Sequence, residues 1–552
     1  MHWLFIICCL GGIDCFPCNH LGLKADDIIQ NIVVLRTERF KRRAELSHLS
    51  FDVYMDPSFM GLPNSPEIMS LIVNPALKFF EDALYLRSPV SLVNLGREGT
   101  SFYALGCEEV TRCGPVAIPS KHFGPKSGTP ALGWLDSARG IYKWSERVIR
   151  TEVRAWRSAL GTFQRKVHIV VTPTVLRFAR EYFSCPQLEG VELENQGGVG
   201  VSLSHWEMRI LGNELMTATY TNVFRLSNLT LAFLEDTGWY LPNYSLAEHL
   251  AWGSKRGCIF STESCYSYML NQLDKGADIA PFCLTPQDKH LGDLFVCTPD
   301  RRSFGYCNLV QVAPKSNATN SHPMYTYFGN TSHLNYKKVI PHDYFGKVDL
   351  ADFCPFVQEV TWSGPNGVPS RSSYCGDNRS SKALTKQNNY NLEVYGPNSI
   401  CLSIAPNWTL LGRKSTFYEV PVRGAGCYKY RCSHKEGGLV LELAGGLQVL
   451  CPAGVPSALV NISVCLREPA LTVLGYFHCP ECTFFCSTSV CFSRNSPKSP
   501  VARPFLKYGK TLSQSPILLQ PCRGNALASA FDFTTFLLVT LNSIELCFQH
   551  DP

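Results

Sequence analysis

Regular apolar spacing is concentrated in the first half of the chain and weakens beyond Gly253. Leu77, Phe80, Ala83 and Leu84 recur on one helical face of Asn74-Pro-Ala-Leu-Lys-Phe-Phe-Glu-Asp-Ala-Leu, and Asn74 with Pro75 reads as a helix start. Val148, Ile149, Val153 and Trp156 follow Ser145 at helical spacing, and Glu146 and Arg150 sit one turn apart, which predicts a second helix over 145–157. Lys166-Val-His-Ile-Val-Val-Thr reads as a strand. It leads through Pro173 into a helix marked by Val175, Leu176, Ala179, Tyr182 and Phe183, and Asn228–Asp236 reads as an amphipathic helix.

Cysteine sets the compartment. The 552 residues hold 25 cysteines and are 45% hydrophobic, enough for two or three domains with real cores. So many thiols fit a secretory environment rather than a reducing cytosol. Seven Asn-x-Ser/Thr motifs, at Asn228, Asn243, Asn317, Asn330, Asn378, Asn407 and Asn461, agree as glycosylation candidates. The net charge of +6 forms no basic stripe, so nucleic-acid binding has no support.

The candidate chemistry lies between Cys185 and Gly253. Its centre is Glu194-Asn-Gln-Gly-Gly-Val-Gly-Val-Ser-Leu-Ser-His-Trp-Glu-Met-Arg-Ile-Leu-Gly-Asn-Glu-Leu-Met216. A Gly-rich turn delivers His205, and Met216 follows eleven residues later. That order suits a metal ligand above an apolar methionine floor.

This block resembles the leishmanolysin-like zinc metallopeptidases. The resemblance rests on Cys185-Pro-Gln-Leu-Glu-Gly, Glu194-Asn-Gln-Gly-Gly, Ser204-His-Trp-Glu-Met-Arg, Asn213-Glu-Leu-Met, Leu234-Glu-Asp-Thr-Gly-Trp-Tyr and Ala247-Glu-His-Leu-Ala-Trp-Gly, and it covers roughly 45 to 490. It implies a metzincin-like α+β catalytic domain, Zn(2+) as cofactor and protein or peptide substrates, with association at the cell surface. It makes His205 the third zinc histidine and Met216 the Met-turn methionine. Cys18, ahead of the basic run Arg39-Phe-Lys-Arg42 with Arg43, corresponds to the propeptide cysteine that occupies zinc before processing; pairing with Cys15 or another cysteine is the other reading.

The same resemblance requires a His-Glu-x-x-His helix for two further ligands and the general base. The chain has none: no histidine precedes a glutamate, and no two of the 14 histidines lie four apart. Cys113-Gly-Pro-Val resembles the early catalytic part and Tyr142-Lys-Trp-Ser a segment after the zinc helix, with a loop-like junction near 124–140 between them. Splicing, a gene-model error or true loss each produce this text. His122 and His168 lack helical pairing with a partner ligand, and Glu207 cannot serve as base without a metal-held water. The general-base glutamate is therefore absent, and the expectation is an inactive relative of an enzyme or a non-catalytic Cys-rich glycoprotein that binds partners.

The expected organisation is a signal peptide over 1–12, or alternatively a buried or altered N-terminus, and a propeptide-like segment over 13–43. A catalytic domain over 44–253 precedes a disulfide-rich, mostly β or irregular domain over 254–494 and a Ser/Pro-rich tail over 495–552. Within Cys479-Pro-Glu-Cys482 disulfides are favoured over metal. The apolar run Phe533–Leu541 is too short to span a bilayer, which needs about twenty residues, so no membrane-spanning segment is expected.

Overall fold

The computed structural model describes residues 57–86, 146–285 and 294–491 with short interruptions, and a few short strands outside them. The expected signal peptide, Cys18, the basic run at 39–43, His122 and nearly all of the tail lie outside the described residues. So do most of the junction residues, where only the pairing of Gly133–Asp136 with Ile141–Trp144 is described. Two compact units emerge: Met1–Gly292 with Val296–Val360, and Asp293–Phe295 with Thr361–Pro552.

In the first unit, α1 (Asn74–Ala83) forms as the apolar spacing predicts, but Asn74 does not start it. The helix enters from Ser65–Ile68 through a π turn at Met69–Val73. Pro75 has no N–H to give to Leu71 and its ring crowds that carbonyl, so the turn before it widens rather than ending. Ala83 and Leu84 are buried, whereas Leu71 and Ile72 are 67% and 60% exposed. The following β1 (Leu84–Leu86) pairs with Ser47–His48.

The helix expected over 145–157 is a strand. β2 (Ile149–Ser158) turns at Ala159 and Leu160 into β3 (Gly161–Val170), with register from Ile149 opposite Val170 to Ser158 opposite Gly161. The Glu146–Arg150 pair is replaced by strand neighbours on one face: Arg150 and Arg154 both bond Glu152, at 2.6 and 3.2 Å. A ten-pair ladder and the β-preference of Ile149, Thr151 and Val153 outweigh a single helical ion pair, which contributes about 0.2–0.5 kcal/mol.

Behind β3, α2 (Pro173–Phe183) buries Val175, Ala179 and Phe183 completely. Each large side chain so buried contributes roughly 1.5–3 kcal/mol. Its first turn is capped from a distance: Asp236 Oδ2 accepts from Thr174 N at 2.9 Å and Val175 N at 3.1 Å. The short β4 (Val191–Glu192) extends the sheet on the far edge of β3. The one-turn α3 (Met208–Leu211) and α4 (Asn228–Asp236) follow, and β5 (Tyr240–Pro242) pairs with β1. Two helices, α5 (Gly257–Thr262) and α6 (Cys265–Asp274), complete the helical layer, and β6 (Phe304–Cys307) pairs with β7 (Val357–Glu359). One core runs through Trp156, Phe183, Ile210, Phe260, Tyr268 and Phe356, so residues 254–360 are built into the same unit as 146–253. Cys185–Cys258, Cys265–Cys354 and Cys283–Cys307 tie it together.

The second unit is an antiparallel sheet. β8 (Ser399–Ile404) lies between β9 (Ala425–Ser433) and a strand at the far end of the unit; β10 (Gly438–Leu443) and β11 (Leu447–Cys451) continue from β9. β12 (Leu459–Leu466) pairs with β13 (Thr472–His478), which closes onto β8. Disulfides Cys375–Cys427, Cys432–Cys486, Cys451–Cys479 and Cys482–Cys491 staple it, so the Cys-x-x-Cys pair serves two separate bridges and no metal. No helix among the described residues is long and apolar enough to cross a membrane.

A buried acid in this unit makes its stability pH-dependent. Glu393 accepts from Cys427 N (3.0 Å) and Tyr395 OH (3.3 Å), yet burial pushes its carboxyl up to about 7. The folded state therefore holds the proton more tightly than the unfolded chain. Stability is full below the unfolded value of about 4.3 and declines as pH rises to about 7, by about 3–4 kcal/mol in total. Glu393→Gln keeps both hydrogen bonds and removes the proton. Urea unfolding of the whole chain at pH 5 and pH 8 is expected to show a smaller pH effect on the second unit in the variant; equal slopes would refute this assignment.

Candidate functional site

The turn carrying His205 closes through its backbone: Glu194 N donates to His205 O at 2.9 Å and Leu203 N to Glu194 O at 2.8 Å. Gly197 has φ +79°, and a Cβ there would stand 2.5 Å from Val201 Cγ1, which explains the glycine. His205 Nδ1 lies 3.0 Å from Val201 O and 3.0 Å from Ser204 Oγ. A carbonyl only accepts, so Nδ1 carries a proton, and in the neutral imidazole the lone pair is then on Nε2. This is the tautomer of an imidazole that binds a metal through Nε2.

The methionine turn is fastened beside it. Trp206 N donates to Met216 O at 3.0 Å, and the Trp206 indole N–H reaches Thr230 Oγ1 at 2.9 Å. Thr230 in turn donates to Glu214 Oε1 at 2.6 Å, where Ser227 N (3.2 Å) and Ser227 Oγ (2.8 Å) also donate. Met216 N donates to the other oxygen at 2.6 Å. Glu214 is fully buried, and burial raises its carboxyl pKa against these donors. The turn leaves α3 through Gly212, where φ is +47° and a Cβ would lie 2.0 Å from the Trp252 ring.

Beneath the turn lies a buried ionic cluster. Arg165, 4% exposed, reaches Asp352 Oδ2 and Glu192 Oε1, each at 2.9 Å. Arg209, 0% exposed, reaches Asp352 Oδ2 and Glu192 Oε2, each at 3.0 Å, and donates to the carbonyls of Phe260 and Glu263. The Arg165 guanidinium stacks 3.9 Å over the Trp156 ring. Glu194 receives Asn195 N and Gln196 N on one oxygen and Met208 N on the other. Burial and then Asp352 push Glu194 up to about 8. Glu207 receives Arg209 N and Asn195 Nδ2, and burial first, then Asp352, Glu194 and Glu192, raises its carboxyl well above the ordinary range. Glu207 is thus an enclosed helix cap that solvent does not reach. Arg165 and Asp352 carry no motif; the one sequence signal is that Arg165 shares its strand phase with the buried Val167 and Ile169.

The other candidates are not brought here. His168 faces Thr151 Oγ1 at 2.9 Å on the sheet, and burial followed by Lys166 lowers its pKa. Among the described residues no three His, Cys, Asp or Glu side chains are arranged to hold a metal ion. His205 has the tautomer of a zinc ligand, but a zinc site needs three or four protein ligands, and the buried carboxylates are already opposed by Arg165 and Arg209. The described residues therefore do not fit zinc.

A glycine-rich turn thus carries His205, and the backbone of the Met216 turn is bonded to the adjacent Trp206. The sequence model of the leishmanolysin family matches residues 146–492. The chain belongs to the leishmanolysin family, a family of zinc metalloproteases. It is 35% identical over 367 residues to a leishmanolysin-like peptidase of Caenorhabditis briggsae, covering 64% of this chain and 51% of that protein. The leishmanolysin-like peptidase of Caenorhabditis elegans is 33% identical over 418 residues, 73% of this chain and 57% of its own length. Leishmanolysin of Leishmania major is 32% identical over 145 residues, 26% and 22% respectively. The chain spans about half the length of the nematode relatives.

Proposed function

We propose that this chain is a leishmanolysin-family protein that does not hydrolyse peptide bonds and that acts outside the cell as a disulfide-rich glycoprotein binding other proteins. The observation that carries the reading is in the sequence: no histidine is followed by glutamate and no two histidines lie four apart, so two zinc ligands and the general base of the family have no counterpart. In an active relative, zinc would polarise a water for attack on the peptide carbonyl. By the family resemblance His205 would be the third ligand and Met216 the methionine floor, without that helix. The cysteine content and the disulfides of both units support an oxidising compartment.

Zinc stoichiometry by elemental analysis, on chain purified from a secretory host, tests this beside a His205→Ala control. The expected result is no bound zinc in either protein. Near one equivalent, lost on substitution, would overturn the inactive reading and require ligands from residues around His122.

A further inference from the structure

Three of the Asn-x-Ser/Thr motifs have described side chains, and they are built differently. At Asn228 the third residue, Thr230, is 4% exposed and its hydroxyl joins Trp206 to Glu214. At Asn378 the third residue, Ser380, is 1% exposed and its hydroxyl donates to Ser372 O at 2.8 Å. Both hydroxyls are explained by packing. The motif Asn243-Tyr-Ser245 stands apart, because Ser245 is exposed and its side chain turns back on the asparagine itself.

Asn243 leaves β5 with φ −88° and ψ 91° and caps the 3-10 turn Tyr244–Leu246. Its Oδ1 accepts from Ser245 N at 3.2 Å and Ser245 Oγ at 2.7 Å, both at the surface. The backbone is anchored from the other side, Asn243 N donating to Ala83 O at 2.8 Å. Nδ2 takes part in none of these bonds. An N-glycosidic link keeps the amide carbonyl and uses only Nδ2, so the cap and a glycan are compatible.

We propose that Asn243 is an N-glycosylated position whose side chain caps the following turn through Oδ1 while Nδ2 bears the sugar. The donor is a polyprenyl-pyrophosphate-linked oligosaccharide. Nδ2 bonds to the sugar C1, the C1–O bond to pyrophosphate breaks, the pyrophosphate leaves with the electron pair and the amide gives one proton to a base of the transferase. No oxidation state changes.

The test is peptide mapping of the full chain from a eukaryotic secretory host, cell-retained and secreted fractions together, after amidase release of glycans in heavy-oxygen water. The expected result is a labelled aspartate at 243 in wild type. Asn243→Asp keeps the Oδ1 acceptor and Ser245→Ala removes the motif; each is expected to lose one glycan's worth of gel mobility shift. An unmodified Asn243 beside other occupied motifs overturns the proposal and leaves the compartment reading standing. No modified motif anywhere overturns both. If a variant is not recovered, the wild-type peptide decides alone.

Discussion

Replacement of Arg209 by methionine is expected to lower the unfolding free energy by about 3–5 kcal/mol, the range found when one partner of a buried ion pair is removed. Methionine restores much of the volume but none of the charge. Asp352 and Glu192 are 0% and 1% exposed and would share Arg165 as their one remaining fully buried cation. The carbonyls of Phe260 and Glu263 lose their Arg209 donor as well, joining α5 less firmly to α3. Arg154, which reaches Glu192 at 3.4 Å from the rim, is too distant to replace two guanidinium contacts. Urea unfolding with unchanged m-value is the measurement. A double cycle with Asp352→Asn should show coupling of about 1–3 kcal/mol between the two positions. A loss below about 1 kcal/mol would mean that the cluster is hydrated and no more valuable than a surface pair.

Such a cluster is nearly invisible in sequence, and the reason is physical. Its members come from β3, β4, the start of α3 and residue 352, brought together only by the closed fold. What sequence does reveal is local. α2 and α4 are announced by apolar spacing at a period near 3.6, with Pro173 and Ser227 at their starts. β2 defeats the same rule because Ile149, Val153 and Trp156 satisfy helical spacing by chance. In the sheet Trp156 is fully buried while Val153 is 65% exposed, and the deciding interaction is the ladder with β3. The site shows the same division. His205, Met216 and the glycine turn lie within one contiguous stretch, so their grouping can be read from the chain, whereas Arg165 and Asp352 lie far from that stretch. Glu207, weighed in sequence as a base, proves on folding to be a buried cap.

Glu214→Ala is expected to be the most damaging single change around the histidine turn, costing about 3 kcal/mol or more. Four donors converge on this carboxyl: Met216 N, Ser227 N, Ser227 Oγ and Thr230 Oγ1. Alanine orphans them together in a buried place, and each unsatisfied buried donor costs about 1–3 kcal/mol before any relaxation. Ser227 retains Leu229 N as the cap of α4, so that helix should survive. The loss concentrates instead on the Met216 turn and, through Thr230, on the Trp206 indole beside His205. Two measurements separate this from general unfolding. Below the unfolding transition, dilute peroxide should oxidise Met216 faster in the variant, with the other seven methionines unchanged. Glu214→Gln should fall between wild type and alanine, because one amide oxygen can still serve Ser227 and Thr230 while the amide N–H₂ confronts Met216 N as a second donor. Equal oxidation of Met216 in all three proteins would show that the turn holds without Glu214, through the Trp206 N to Met216 O bond alone.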